Sequence, residues 1–291
     1  GNTVTGKVTM YDYSTLTLPA GADDLVLLGS GSVNGTGNGA INVMTGNDGQ
    51  NSLNGEGGND TISGAGGDDA IDGGAGIDTA LYTGALTAAS LTPNGSGGWN
   101  VAAGAEGSDA LTGVELVDGA GSGKFLLVGN SGYATIQAAI DAAASGDTIV
   151  VGSGTFIEDL VIAGGLAITI KGQGMGATTI QGQTITSGEL NGALIFRDLT
   201  VDAAGRPWGF NISNNSAAFA GSVVLDHVEV KNADQNGFAY IRAGNGAPPP
   251  VLMDTVGNIQ ILDSIFSNNG TVSVANGRGD VIVYGYNRDL T

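Results

Sequence analysis

Between Gly37 and Leu81 an apolar residue returns every nine positions, at Met44, Leu53, Ile62, Ile71 and Ala80. The residues between are small or polar, so each belongs to a strand of a few residues whose single inward side chain fills a core. Beyond Phe125 the pattern changes. The segment YATIQAAIDAAASGD places Ile136, Ala139, Ile140 and Ala143 at helical spacing, with Gly146 as a stop signal. The runs AITIKGQG, ALIFRDLTVDA, SVVLDHVEVKN, NIQILDSIFSNN and DVIVYGYN follow as strands, separated by glycine and asparagine turns. Upstream, Tyr11 to Leu18 and Leu25 to Leu28 alternate like strands, making residues 1–36 a β-rich lead-in. Residues 82–124, with Trp99 and the stretch GSDALTGVELVD, read as a β-rich connector that packs strands against what precedes it.

The nine-residue period is also written in the polar positions. Five units run without a break: GNGAINVMT from Gly37, GNDGQNSLN from Gly46, GEGGNDTIS from Gly55, GAGGDDAID from Gly64 and GGAGIDTAL from Gly73. The sixth position reads Asn42, Asn51, Asp60, Asp69 and Asp78. Glycine permits the φ > 0 turn and leaves backbone carbonyls open, the sixth residue adds side-chain oxygen, and hard oxygen ligands suit calcium. These units resemble the RTX nonapeptide family, pattern GGxGxDxUx, closely in the last three units and loosely in the first two. The resemblance implies a parallel β-roll over 37–81 in which two repeats make one coil and ions sit between turns stacked every eighteen residues. It implies calcium ligands at Asp60, Asp69, Asp78, Asn51 and Asn42, with turn glycines Gly55, Gly57, Gly64, Gly66 and Gly73. The best site falls between Asp60 and Asp78, and the asparagine turns are weaker because an amide offers only neutral oxygen. Ala80 fills the core poorly and marks the roll's end.

Residues 125–291 resemble parallel β-helices of the pectin-lyase-like class. The fold expected is thus all-β: an RTX parallel β-roll followed by a right-handed parallel β-helix with a short N-terminal capping helix. Aligning the paired runs puts Arg197, Asp226 and Asp263 in one column and Asp198, His227 and Ser264 in the next, with Asn232 and Asn269 also coinciding. Pro248 to Pro250 cannot sit in a central strand, so the stretch AGNGAPPPVLMDTV reads as a protruding loop.

Composition narrows the chemistry. The 53 glycines carry no three-residue period and prolines number only 6, which excludes collagen. A formal charge of −19 repels nucleic acid and attracts cations. There is no cysteine for a disulfide or thiolate site, and no apolar run approaches the ~20 residues of a membrane helix. The chain begins and ends inside strand-like patterns, as an excised piece of a longer protein would.

For enzymatic chemistry on acidic polysaccharides, the candidate substrate-binding residues are Asp202, Asp226, His227, Lys231, Asp234 and Arg242. Mannuronan C5-epimerases also combine a β-helix with RTX modules, but their DPH-type motif is absent from this sequence, and no catalytic residue is assigned. The more ordinary reading pairs Asp226 with Arg197 and makes His227 a surface turn residue. The GRGD string at Gly277 to Asp280 reads as a glycine-rich turn rather than an adhesion motif. The expectation is a calcium-dependent structural or adhesive solenoid segment of a secreted or cell-surface RTX protein. Its partners would be calcium and, beyond that, a matrix polysaccharide or a lateral protein. A polysaccharide lyase or epimerase-like enzyme is the alternative.

Overall fold

The computed structural model describes residues 9–12, 14–121, 123–188, 190–214, 221–234, 236–242, 259–269 and 280–283. The chain divides into two compact units, Gly1–Ala134 and Thr135–Thr291. Strand Phe125–Val128, where the second sequence pattern opens, lies in the first unit and pairs antiparallel with Leu116–Asp118.

The first unit is a roll of two parallel ladders. One stacks Asp24–Leu27, Val43–Thr45, Thr61–Ser63, Thr79–Leu81 and Leu116–Asp118. The other stacks Leu16–Thr17, Gly35–Asn38, Ser52–Glu56, Ala70–Asp72 and Ser108–Thr112. Because strands alternate their side chains, each three-residue strand buries only its middle residue. Met44, Ile62, Ala80 and Val117 fill one wall of the core, and Leu53, Ile71 and Leu111 the other. Burying each Leu or Ile stabilises the roll by about 1.5–3 kcal/mol. Gly35 takes an inward position on the second wall, where a Cβ would overlap Leu25, so the side chains of Leu25, Met44 and Leu53 fill the space it leaves.

Neither ladder stops at Ala80. After Leu81 the chain makes an excursion through an antiparallel hairpin, Leu91–Pro93 with Trp99–Ala102. It then returns so that Ser108–Thr112 lies between that hairpin and Ala70–Asp72. Leu116–Asp118 next settles on Thr79–Leu81. Trp99, 1% exposed, continues the inward row of Leu53, Ile71 and Leu111. The lead-in residues belong to the same ladders, since Asp24–Leu27 and Gly35–Asn38 are the rungs preceding the repeats.

The second unit is a parallel β-helix of three ladders, capped by helix Ile136–Ala142. Thr135 caps the helix by accepting from Ala138 N at 3.1 Å. The Glu158 carboxylate accepts from Ile136 N at 2.8 Å and Gln137 N at 2.9 Å, satisfying two further orphan donors. Ile136, Ala139 and Ile140 are buried, whereas Ala143 is the extended residue that ends the helix.

One ladder stacks Ile149, Ile170, Phe196, Leu225 and Ile261, and a second stacks Phe156, Ile180, Val201, Val230 and Phe266. The third runs Leu160, Thr184, Phe210, Phe238 and, by an antiparallel pairing, Val283. Strands Ala193–Asp202 and Ser222–Lys231 turn a corner through Asp198 and His227, at φ 55° and 54°. The next rung turns at Asp263, φ 45°. Arg197 and Asp226 therefore stack on Leu262, and Asp263 falls in register with Asp198 and His227, one residue from the expected column. The repeated Leu-Asp pair misleads the alignment; the ladder instead matches Val223 and Leu225 with Ile259 and Ile261. Asn269 bridges the preceding turn, accepting from Ala233 N at 3.1 Å and donating to Val230 O at 3.0 Å. Pro248 to Pro250 and most of the GRGD string lie outside the described residues.

Candidate metal centre

The five sixth-position side chains all lie inside the roll: Asn42 and Asp78 at 0% exposure, Asp60 at 1%, Asp69 at 3% and Asn51 at 4%. They form two columns, Asn42–Asp60–Asp78 and Asn51–Asp69. Asp60 Oδ1 accepts from Asn42 N and Asp78 Oδ1 from Asp60 N, each at 2.7 Å. Asp69 Oδ1 accepts likewise from Asn51 N at 2.7 Å. One oxygen of each aspartate thus clips its rung to the rung before. The other oxygen, Oδ2, is buried with no hydrogen-bond partner in all three.

The asparagine rungs are different. Asn42 Oδ1 accepts from Asn38 N and Asn51 Oδ1 from Asn47 N, both at 2.8 Å. Their amide groups donate to carbonyls of the preceding coil, Asn42 to Asp23 O at 3.1 Å and Asn51 to Val33 O at 2.7 Å. Protein groups satisfy both ends of each amide. An aspartate has no hydrogen to give, so at Asp60, Asp69 and Asp78 the same position demands a donor from outside.

The first-position glycines face these bare oxygens. A Cβ on Gly55 would overlap Asp60 Oδ2 and crowd the Gly73 carbonyl oxygen, so only glycine lets carboxylate and carbonyl approach one another. Gly64 stands likewise against the Asp69 carboxylate and Gly73 against that of Asp78. The third-position glycines meet neighbouring turns, Gly57 N donating to Asn38 O at 3.4 Å and Gly66 N to Asn47 O at 3.2 Å. Burial pushes the Asp60 and Asp69 carboxyls up to about 6, against the lowering effect of their backbone hydrogen bonds. Burial also raises Asp78. Buried anionic oxygens without donors, set among backbone carbonyls, suit a hard divalent cation.

Two further acids extend the columns. Asp109 stacks on Asp69, its Oδ1 accepting from Asp69 N at 2.9 Å, and its Oδ2 is also buried and bare. Glu115 stacks on Asp78, its Oε2 accepting from Asp78 N at 2.9 Å. Burial raises both carboxyls, and the buried Tyr82 phenol, itself pushed up by burial, lies beside Asp109. A signal for Asp109 exists in the sequence: GAEGSDALT from Gly104 repeats glycine at positions one and four, aspartate at six and leucine at eight. Glu115 carries no such mark, because its turn is shortened.

Compared with known families, residues 36–80 match the RTX calcium-binding nonapeptide repeat in four copies. This stretch is an RTX calcium-binding segment. Calcium is its cofactor, and the buried, donor-free carboxylate oxygens of Asp60, Asp69 and Asp78 have the chemistry such an ion requires. No curated protein and no solved structure matches the chain. Asp109 and Glu115 fall outside the matched RTX residues, and no family match covers the β-helix. Among the described residues no helix is long and apolar enough to cross a membrane.

Outside the RTX segment, the polar residues weighed for substrate binding fall into two groups. Asp226 Oδ2 meets Arg197 Nε at 3.3 Å and its Oδ1 meets His227 Nδ1 at 2.8 Å. Asp263 joins them, with ligand atoms of the three residues within 4.8 Å of one another, yet both Asp226 oxygens already have partners. At the far ends of the same two strands, past the corner, Asp202 accepts from Ala204 N and Asn232 Nδ2, while Lys231 pairs with Glu229 at 2.9 Å. Asp234 follows in the next turn, its backbone N donating to Arg206 O at 2.8 Å. Arg242 ends strand Asn236–Arg242, in register with Asn214.

Proposed function

We propose that this chain is a calcium-gated structural segment of a secreted or cell-surface protein, whose roll folds when it meets extracellular calcium. The observation that carries the reading is the row of buried, partnerless carboxylate oxygens at Asp60, Asp69 and Asp78. Without a cation each rung buries charge that water would otherwise solvate, and stacked rungs bring like charges together, as Asp78 acts on Asp60. With calcium the same oxygens gain their missing counter-charge, so metal binding becomes folding free energy. Extracellular calcium modules bind at roughly 10⁻⁴ to 10⁻³ M, above cytosolic calcium, so folding would follow export. The −19 charge fits a chain kept extended until cations arrive. The β-helix then serves as a rigid spacer that presents its surface to a polysaccharide or a neighbouring protein.

The test is calcium titration into the chelated full chain, followed by far-ultraviolet circular dichroism. A cooperative gain of β signal near millimolar calcium supports the reading, and a spectrum indifferent to calcium removes it.

A further inference from the structure

We infer that the returning segment Gly113–Asp118, outside the matched repeats, completes one more calcium site with Asp78, in which Glu115 stands where the next repeat's aspartate would be. This deepens the calcium-gated reading of the roll and rests on it.

Three observations converge. Thr79–Leu81 pairs in register with Leu116–Asp118, so Glu115 lies over Asp78 just as Asp78 lies over Asp60. The clip is repeated: Asp78 N donates to Glu115 Oε2 at 2.9 Å as Asp60 N donates to Asp78 Oδ1 at 2.7 Å. Finally, the oxygen pair that flanks Gly55, the Asp60 carboxylate and the Gly73 carbonyl, is reproduced around Gly73 by the Asp78 carboxylate and the Gly113 carbonyl. Asp78 Oδ2 is fully buried there and has no protein donor.

The exchange of aspartate for glutamate follows from the chain path. In the repeats the acid stands five positions after the turn glycine, as Asp78 does after Gly73, whereas Glu115 stands only two positions after Gly113. The shortened turn sets the backbone differently, and one extra methylene restores the reach of the carboxylate. An ion held here joins residues 73–78 to residues 113–118 and so closes the whole excursion between them, including the hairpin that buries Trp99. The family repeat binds calcium within its own run; this site makes calcium fasten a non-repeat closing segment onto it.

The experiment uses the full chain carrying Trp208→Phe, so that Trp99 alone reports by fluorescence, with calcium stoichiometry measured by titration calorimetry. Glu115→Gln is expected to remove one ion from the stoichiometry or weaken the last site at least about tenfold, the cost of altering even an outer ligand, and to shift the Trp99 transition by the same factor. An unchanged ion count and Trp99 midpoint overturn the site. Should Glu115→Gln fail to fold, terbium in place of calcium decides. Tyr133 lies close enough to Glu115 to feel its charge, so Tyr133→Phe should dim sensitised terbium emission, and undiminished emission overturns the assignment. A parent chain that binds no ion at all removes the calcium-gated reading itself; binding that is intact in the parent and unaltered in Glu115→Gln removes only this site.

Discussion

Asp60 and Asn42 stand one coil apart and are joined by a 2.7 Å hydrogen bond from Asn42 N to Asp60 Oδ1, while the second Asp60 oxygen is buried with nothing to accept. Asn42, in the same position of the preceding coil, has its amide satisfied at both ends. The contrast between these two neighbours yields the first prediction.

Asp60→Asn should act with opposite sign in the two states. Without calcium the substitution removes a buried charge and supplies an amide donor, so the chelated protein becomes more resistant to urea. With calcium it deletes an anionic ligand, and the calcium midpoint rises at least about tenfold. Urea titration in chelator and calcium titration by circular dichroism measure the two arms.

Protons should compete with calcium. Burial raises Asp60 and Asp69 from 3.8 to about 6 in the folded roll, so folded protein binds more protons than unfolded protein between those values. Their contribution to the stability of the metal-free roll is fully present below about pH 3.8 and is lost as pH rises through about 6. Chelated protein should therefore gain β signal on acidification, while the calcium midpoint at constant ionic strength climbs as pH falls below 6. A calcium midpoint flat from pH 7 to pH 5 contradicts this.

The β-helix should be indifferent to calcium and sensitive to its aromatic stack. Phe210 is fully buried, with ring centroids 4.8 Å from Phe196 and 6.0 Å from Phe238. Phe210→Ala should cost about 3–5 kcal/mol, as large-to-small changes of buried aromatics do. Its urea transition should shift equally with and without calcium.

His227, the only histidine, should titrate above its ordinary 6.5, because Asp226 accepts from its ring at 2.8 Å and adds negative charge. The pairing contributes fully below pH 6.5 and is lost as pH rises through the raised value. Nuclear magnetic resonance of the imidazole protons reads this directly, and Asp226→Asn should return the pKa toward 6.5.

The repeat was legible because two independent patterns, an inward apolar residue at position eight and an asparagine or aspartate at position six, keep one period from Gly37 to Leu81. The second unit was legible from the helical spacing of Ile136, Ala139 and Ile140 and from the paired runs of its strands. Register was harder. A matching Leu-Asp pair drew Asp263 beside Asp226, whereas packing follows the inward side chains Ile259 and Ile261. The return of the chain to the roll was hidden for a different reason: Asp109 stands forty positions after Asp69 and Glu115 thirty-seven after Asp78, and no nine-residue periodicity runs unbroken across such a gap. Only the ladder, formed in space, brings them into the columns.

The order of residues along those columns gives the roll a direction. Its early rungs carry amides that close their own hydrogen bonds, and its later rungs carry acids that do not. The Asn42 and Asn51 coils carry no bare carboxylate, and their backbone N–H groups at Asn42 and Asn51 are met by the Asp60 and Asp69 oxygens of the coils that follow. On the calcium-gated reading proposed above, the amide coils need no ion and each acidic coil does, so the demand for calcium rises along the roll toward Glu115.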